Sequence, residues 1–226
     1  MRSLVLVLAA PLVMSNTAGC QKDSIPPNVG VHNSRAWIVP IGVVASSSID
    51  GEMREWALRT HSRSLDRFAR VINPLGTAHV LIPALSALYV GAVLTEQVPA
   101  EHAAIETASA YATTDAVESI LKPLVGRQRP HVTGDSHRFH PFTTNGDFHS
   151  LPSAHVAHIT AIATAIAMQN DSRPIAALCD GVIALVGWDR IYEDQHWTSD
   201  VTATVALSAL VSRATVSWVA SRWNRR

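Results

Sequence analysis

From residue 37 to about residue 223 the apolar residues recur at helical spacing, and no stretch alternates in the way a half-buried strand would. That periodicity leaves an all-α domain as the fold class. Ala, Val and Leu dominate, and Gly and Pro are sparse outside the linkers, which points the same way. The chain has 226 residues, enough for one domain with a substantial core. Lys plus Arg equals Asp plus Glu, 18 against 18, so there is no basic surface for nucleic acid and no acidic tail. Attraction for an anionic substrate has to come from cations gathered locally.

The first residues read as an export signal. Arg2 is a minimal positive start, residues 4–14 are a short apolar run, and small residues follow before Cys20. The run is too short to cross a bilayer comfortably. Thr17-Ala18-Gly19-Cys20 resembles a bacterial lipobox, with Thr17 where a larger aliphatic residue is usual. Two outcomes stay open: lipidation of Cys20, which would tie the protein to a membrane, or cleavage near Ala18 without a lipid. The expected layout is a signal over 1–19, a tether over 20–35 containing Pro26-Pro27 and Gly30, and a helical domain over 36–226. The other cysteine, Cys179, lies in an apolar run and reads as a small buried hydrophobe.

Along the domain, Asp50-Gly51 opens an amphipathic stretch to about residue 71, and Asn73-Pro74-Leu75-Gly76 is a turn. A long uncharged run covers 77–95. Pro99 opens a helix toward Leu121, with Glu101 in its first turn. A polar loop over 130–152 is long enough to be functional. Ser153 fits as the cap of an Ala-rich helix to about Gln169, and another runs from Pro174 to Trp188. Thr198 or Ser199 starts the last helix, which continues to about Trp223. Residues 77–95 satisfy the length of a membrane span, yet mean hydropathy is only +0.14 and Asp115, Asp180 or Arg213 interrupt other apolar stretches. The expectation is a water-soluble helical domain, with a polytopic one as the alternative.

Three segments carry chemistry. His196 and Asp200 are four residues apart and share a face if helical. A carboxylate taking one imidazole N–H would leave the other nitrogen free as a nucleophile. Lys122 and Arg129, two turns apart, and Arg190 supply cations for phosphate oxygens. Pro123 and Gly126 argue against a helix through that segment, and Arg127 reads as a surface charge. Ser153 and the Ala154 amide lie at a helix N-terminus, where anions are favoured. His155, in the first turn, is placed to protonate a departing alkoxide. Each piece alone has a plainer reading: a surface His–Asp pair, solvated charges, an ordinary cap. The loop histidines His131, His137, His140 and His149 lack the compact spacing of metal ligands and read as the pocket entrance. Trp188 and Trp197 read as packing, with Trp197 a candidate for the pocket wall.

Taken in order, Lys122 with Arg129-Pro130, then Pro152-Ser153-Ala154-His155, then Arg190 with His196 and Asp200, the pattern resembles the type 2 phosphatidic acid phosphatase and vanadium haloperoxidase superfamily over about residues 50–211. The resemblance implies a bundle of about six core helices with the phosphate site at one end. It implies that His196 forms a phosphohistidine, Asp200 orients it, and His155 serves as acid and then base. Lys122, Arg129, Arg190, Ser153 and the Ala154 amide would hold phosphate, with no metal and no cofactor. The partner would be a phosphorylated small molecule or lipid. Ala154 stands where the family usually has Gly, and Asp189 where it usually has Ser, which bears on substrate preference. The leading expectation is an exported phosphomonoesterase. The alternatives are a membrane-embedded phosphatase acting on phosphatidate or an isoprenyl pyrophosphate, a vanadium-dependent peroxidase, and a non-catalytic lipoprotein binding a phosphorylated ligand.

Overall fold

The computed structural model describes residues 38–223, so the expected signal, Cys20 and the tether lie outside the described residues. Among the described residues there are eight α-helices and no named strand. They are α1 (Ile38–Ser47), α2 (Asp50–Thr60), α3 (Arg63–Ile72), α4 (Ala78–Leu94), α5 (Val98–Val125), α6 (Ala154–Gln169), α7 (Arg173–Tyr192) and α8 (Thr198–Trp223).

The amphipathic stretch expected as one piece over 50–71 is two helices. His61 turns out of helical geometry (ψ 127°), and the Ser62 hydroxyl accepts from the Leu65 N–H at 3.4 Å, capping α3. The helix expected to stop near Leu121 instead runs through Pro123 to Val125. Gly126 ends it at φ +60°, with its N–H on the Lys122 carbonyl at 2.9 Å. A side chain at Gly126 would collide with the His140 carbonyl, whose own residue donates N–H to the Gly126 carbonyl at 2.7 Å. The 130–152 loop therefore folds back on the segment before it. Gln128 N–H reaches the Arg138 carbonyl at 2.9 Å, and Arg129 N–H the Asp147 carbonyl at 2.8 Å. At the other end of the domain, α7 is capped by Ser172 and extends past Trp188 to Tyr192.

Helices α5, α6 and α8 pack against one another, with α7 on α6 and α4 on α5. The main core joins Ala57, Ile72, Val156, Ile159, Val186, Ile191 and Val201, and thus ties α2 and α3 to α6, α7 and α8. Each fully buried valine there contributes about 1.5–3 kcal/mol. A second cluster, Ala110, Ala165 and Val216, lets the three central helices approach closely. Beside it the Thr114 and Ser212 hydroxyls bond at 3.2 Å. Cys179 is buried, as its surroundings in sequence suggest.

Helix α4 is different. Val80, Ile82, Leu88, Tyr89, Val90, Val93 and Leu94 are all exposed, and only Leu81 and Ala92 are buried. Among the described residues α8 is the one helix long and apolar enough by itself to cross a membrane; α3 through α4 would qualify only as one span bent by 51°.

Candidate active site

The site is assembled where four chain segments meet: the end of α5 with the following strap, the start of α6, the end of α7 with its loop, and the start of α8. His196 lies in the loop between α7 and α8 and is buried. Its backbone N–H and that of Gln195 both donate to the Arg190 carbonyl, at 3.2 and 3.1 Å, which fixes the loop on the last turn of α7. The ring Nδ1 lies 2.5 Å from the Ser150 carbonyl. A carbonyl only accepts, so Nδ1 carries the proton and Nε2 carries the lone pair. Burial first, and then the Arg129 charge, hold this imidazole well below its ordinary pKa, so the ring is neutral at neutral pH.

Asp200 is close to this arrangement but does not bond the ring. Its Oδ2 accepts from the Ser150 hydroxyl at 2.5 Å and from the Trp197 N–H at 2.9 Å, and its Oδ1 accepts from Arg127 at 2.6 Å. Ser150 therefore stands between the two, with its hydroxyl on Asp200 and its carbonyl on His196. Ser150 is fully buried and carries no signal in the sequence, because a serine in a polar loop is unremarkable.

Arg127 is not a surface charge; it is 5% exposed. Its Nη1 donates to Asp200 and to Ser199 Oγ, its Nη2 donates to Asp50 Oδ2 at 2.8 Å, and both Nε and Nη2 reach the Ser136 carbonyl. Asp50 in turn accepts from the Ser199 N–H and hydroxyl. One turn further along α2, Arg54 pairs with Asp194 at 2.8 Å, and the Asp194 carbonyl takes the His131 N–H. Helix α2 thus grips the His196 loop on both sides, and Asp50, Arg54, Asp194 and His196 line one small cavity.

The three cations expected at the site converge. The same three, Lys122, Arg129 and Arg190, act electrostatically on both His155 and His196. Arg129 is itself pushed down by burial and then by Arg190. Each is held: Lys122 by Glu118 at 2.8 Å, Arg129 by Gln195 at 2.7 Å and the Gly146 carbonyl, and Arg190 by the neighbouring Asp189. The extra carboxylate beside the third motif is thus paired with Arg190, and its other oxygen has no partner among the described residues.

Ser153 occupies the N-cap position of α6, but its hydroxyl caps nothing and is buried without a partner among the described residues. Its N–H goes to Thr204 Oγ1 at 2.9 Å. The unpartnered hydroxyl thus sits at the start of α6 beside the helix's first amides, Ala154 included, where a helix N-terminus favours negative charge. His155 follows, partly buried, with its pKa lowered to about 4 by burial and then by Arg190, His158, Lys122 and Arg129. Its Nε2 lies 3.0 Å from Asn73 Oδ1. On the next turn His158 bridges the Gly76 carbonyl (3.1 Å) and Asp115 (2.7 Å).

The loop histidines spread out: His131 on the Asp194 carbonyl, His137 on Ser136, His140 against Phe148, and His149 on the Thr143 carbonyl. Among the described residues the group with metal-ligand spacing is Asp115, Glu118 and His158. There the Asp115–His158 bond and the Lys122–Glu118 pair already engage those donors. Trp197 is 1% exposed and donates from its indole to the Gln128 carbonyl, so it braces the strap. Trp188 stacks with Tyr192.

Fold and site together define an all-helical bundle with a cationic cradle and two histidines where the ends of α5, α6 and α7 meet the start of α8. The PAP2 superfamily profile matches residues 96–224, over half of the chain, and the chain belongs to that superfamily. Two solved structures share the fold. The first transmembrane PAP2-type phosphatidylglycerolphosphate phosphatase from Bacillus subtilis aligns with a TM-score of 0.62 at 18% identity, covering 80% of this chain and 90% of that one. Aquifex aeolicus LpxE aligns with a TM-score of 0.61 at 20% identity, covering 75% and 95%. No curated protein matches the chain significantly.

Proposed function

We propose that the protein is a phosphatase that hydrolyses phosphate esters through a phosphohistidine, without a metal. The observation that carries this reading is that both imidazoles, one buried and neutral, lie within the field of the same three cations. In the first step His196 Nε2 forms a bond to phosphorus as the bond to the leaving oxygen breaks. A protonated His155 gives its proton to that oxygen, releasing an alcohol. In the second step water attacks the phosphohistidine, neutral His155 takes a proton from the water, and the P–N bond breaks to return His196. Lys122, Arg129 and Arg190 offset the charge on the equatorial oxygens, with the Ser153 hydroxyl and the Ala154 amide beside them. Asp200 orients His196 by way of Ser150.

The test is direct. His196→Ala should abolish turnover with the helical signal unchanged, vanadate should inhibit, and EDTA should not. Turnover by the alanine variant at the wild-type rate would sink the mechanism.

A second reading concerns the substrate, and α4 favours it. A helix with seven large apolar side chains exposed is costly in water and at home in lipid. That supports a protein whose α4 and α8 lie in a bilayer and whose substrate is a lipid phosphate, in keeping with the Bacillus subtilis phosphatidylglycerolphosphate phosphatase that shares the fold. Turnover of a phosphorylated lipid in vesicles should exceed that of a soluble monoester; the reverse preference would favour the soluble phosphomonoesterase.

A further inference from the structure

The turn Asn73–Gly76 joins α3 to α4 at the apex of a 51° bend, and it precedes the residues matched by the family profile. It is packed on the start of α6. A Cβ at Gly76 would lie 2.6 Å from the His155 Cβ and 2.9 Å from its Cα, so only glycine lets the two segments approach this closely. Its carbonyl accepts from His158, and Asn73 Oδ1 accepts from His155. The histidines at 155 and 158 are three apart on one face of α6, and a single turn holds both.

The contact with Asn73 has a definite polarity. An amide oxygen accepts and never donates, so the proton must be on His155 Nε2. The cations acting on this ring are Lys122 on α5, Arg129 on the strap and Arg190 on α7, and His158 is its neighbour on α6. The nearby carboxylates are turned elsewhere, with Glu118 on Lys122, Asp115 on His158 and Asp189 on Arg190. Among the described residues Asn73 is the acceptor bonded to the His155 ring.

We propose that Asn73 is a positioning residue for the leaving-group side of the reaction, holding His155 in the tautomer protonated at Nε2 and stabilising the ring when it carries both protons. This rests on the phosphatase reading above. It adds a residue from outside the family-matched segment to the machinery. A hydrogen bond from the charged form of a histidine favours that form, so removing the acceptor makes the ring a poorer proton carrier.

The experiment compares Asn73→Leu and Asn73→Asp with wild type on two esters, an aryl phosphate with a good leaving group and an alkyl phosphate that needs a proton. Asn73→Leu should slow the alkyl ester by roughly tenfold more than the aryl ester, because general acid assistance is worth most where the leaving group is poor. Asn73→Asp should move the alkaline limb of kcat/KM upward by about one pH unit, since a carboxylate favours the protonated ring. Equal slowing of both esters by the leucine variant, with an unmoved limb in the aspartate variant, would overturn the proposal. If wild type hydrolyses neither ester, the phosphatase reading fails on its own. Imidazole nitrogen NMR shifts of His155 then decide the tautomer without turnover: Nε2–H in wild type and a mixture in Asn73→Leu supports the assignment, and identical spectra refute it.

Discussion

One guanidinium between two fully buried carboxylates is an unbalanced arrangement, and Arg127 is that guanidinium. It serves Asp50 and Asp200, neither more than 1% exposed, and no second cation bonds either carboxylate among the described residues. Removing it would leave two buried negative charges facing each other. Arg127→Ala should therefore destabilise the protein by about 3–5 kcal/mol, read as a drop in the unfolding midpoint. Adding Asp50→Asn to that variant should recover part of the loss; a further drop would contradict the triad. Sequence could not single out Arg127, because its partners are 77 and 73 residues away and three cations stand within eight positions. Asn73 and Ser150 were hidden in the same way, each being an ordinary loop residue until the chain folds. Lys122, Arg129, Ser153, His155, Arg190 and His196 stood out in the sequence because their order and spacing resemble the family's pattern. A pH effect follows from His155. Its free ring has a pKa near 4, and a bound anion stabilises the protonated ring, so the bound value is higher. Anion binding should then take up a proton and tighten as pH falls from 7 toward about 4, below which the free ring is already protonated. Sulfate, whose charge is constant there, makes the measurement clean: calorimetry in two buffers of different ionisation enthalpy should show uptake in wild type and less in His155→Gln.

At the scale of elements, helix content was legible and helix boundaries were less so. Periodicity carried the existence of α5, α6, α7 and α8, because each buries a face over several turns. The misjudged ends have local causes. Pro123 looked like a stop, yet α5 runs on through it, giving up the one bond its N–H would make to the Ser119 carbonyl, and the termination comes three residues later at Gly126. The break at His61-Ser62 was hidden because neither Gly nor Pro marks it. Gly126 also decides how the strap is held. With φ +60° and the His140 carbonyl against its α-carbon, it combines a left-handed backbone with a contact no side chain fits. Gly126→Ala should cost at least about 1–2 kcal/mol from backbone strain alone. It should also loosen the strap that carries Arg127 and Arg129, so KM for a phosphate ester should rise along with the fall in unfolding midpoint. An unchanged KM would mean the strap is set by its other bonds, such as Arg129 N–H to Asp147.

For the whole molecule the question is what covers α4. The sequence expectation of a water-soluble domain came from modest mean hydropathy, an average over an apolar helix and polar segments such as the 130–152 loop. An average cannot show where the apolar residues sit. Folding leaves those of α4 outward while the charged residues of the site converge inward, so the low average conceals a local excess of exposed apolar surface. Water and lipid make opposite demands on such a surface, and one substitution separates them. Leu88 is 52% exposed near the middle of α4. In water Leu88→Lys would be neutral or mildly favourable, changing stability by within about 0.5 kcal/mol. In a bilayer the same lysine would oppose insertion by about 2.5–3.5 kcal/mol. If α4 lies in lipid, the variant should be depleted from the carbonate-washed membrane fraction while wild type stays there. A Leu88→Ile control should behave as wild type. A lysine variant that is as active as wild type and equally distributed between fractions would place α4 in water, and with it the substrate.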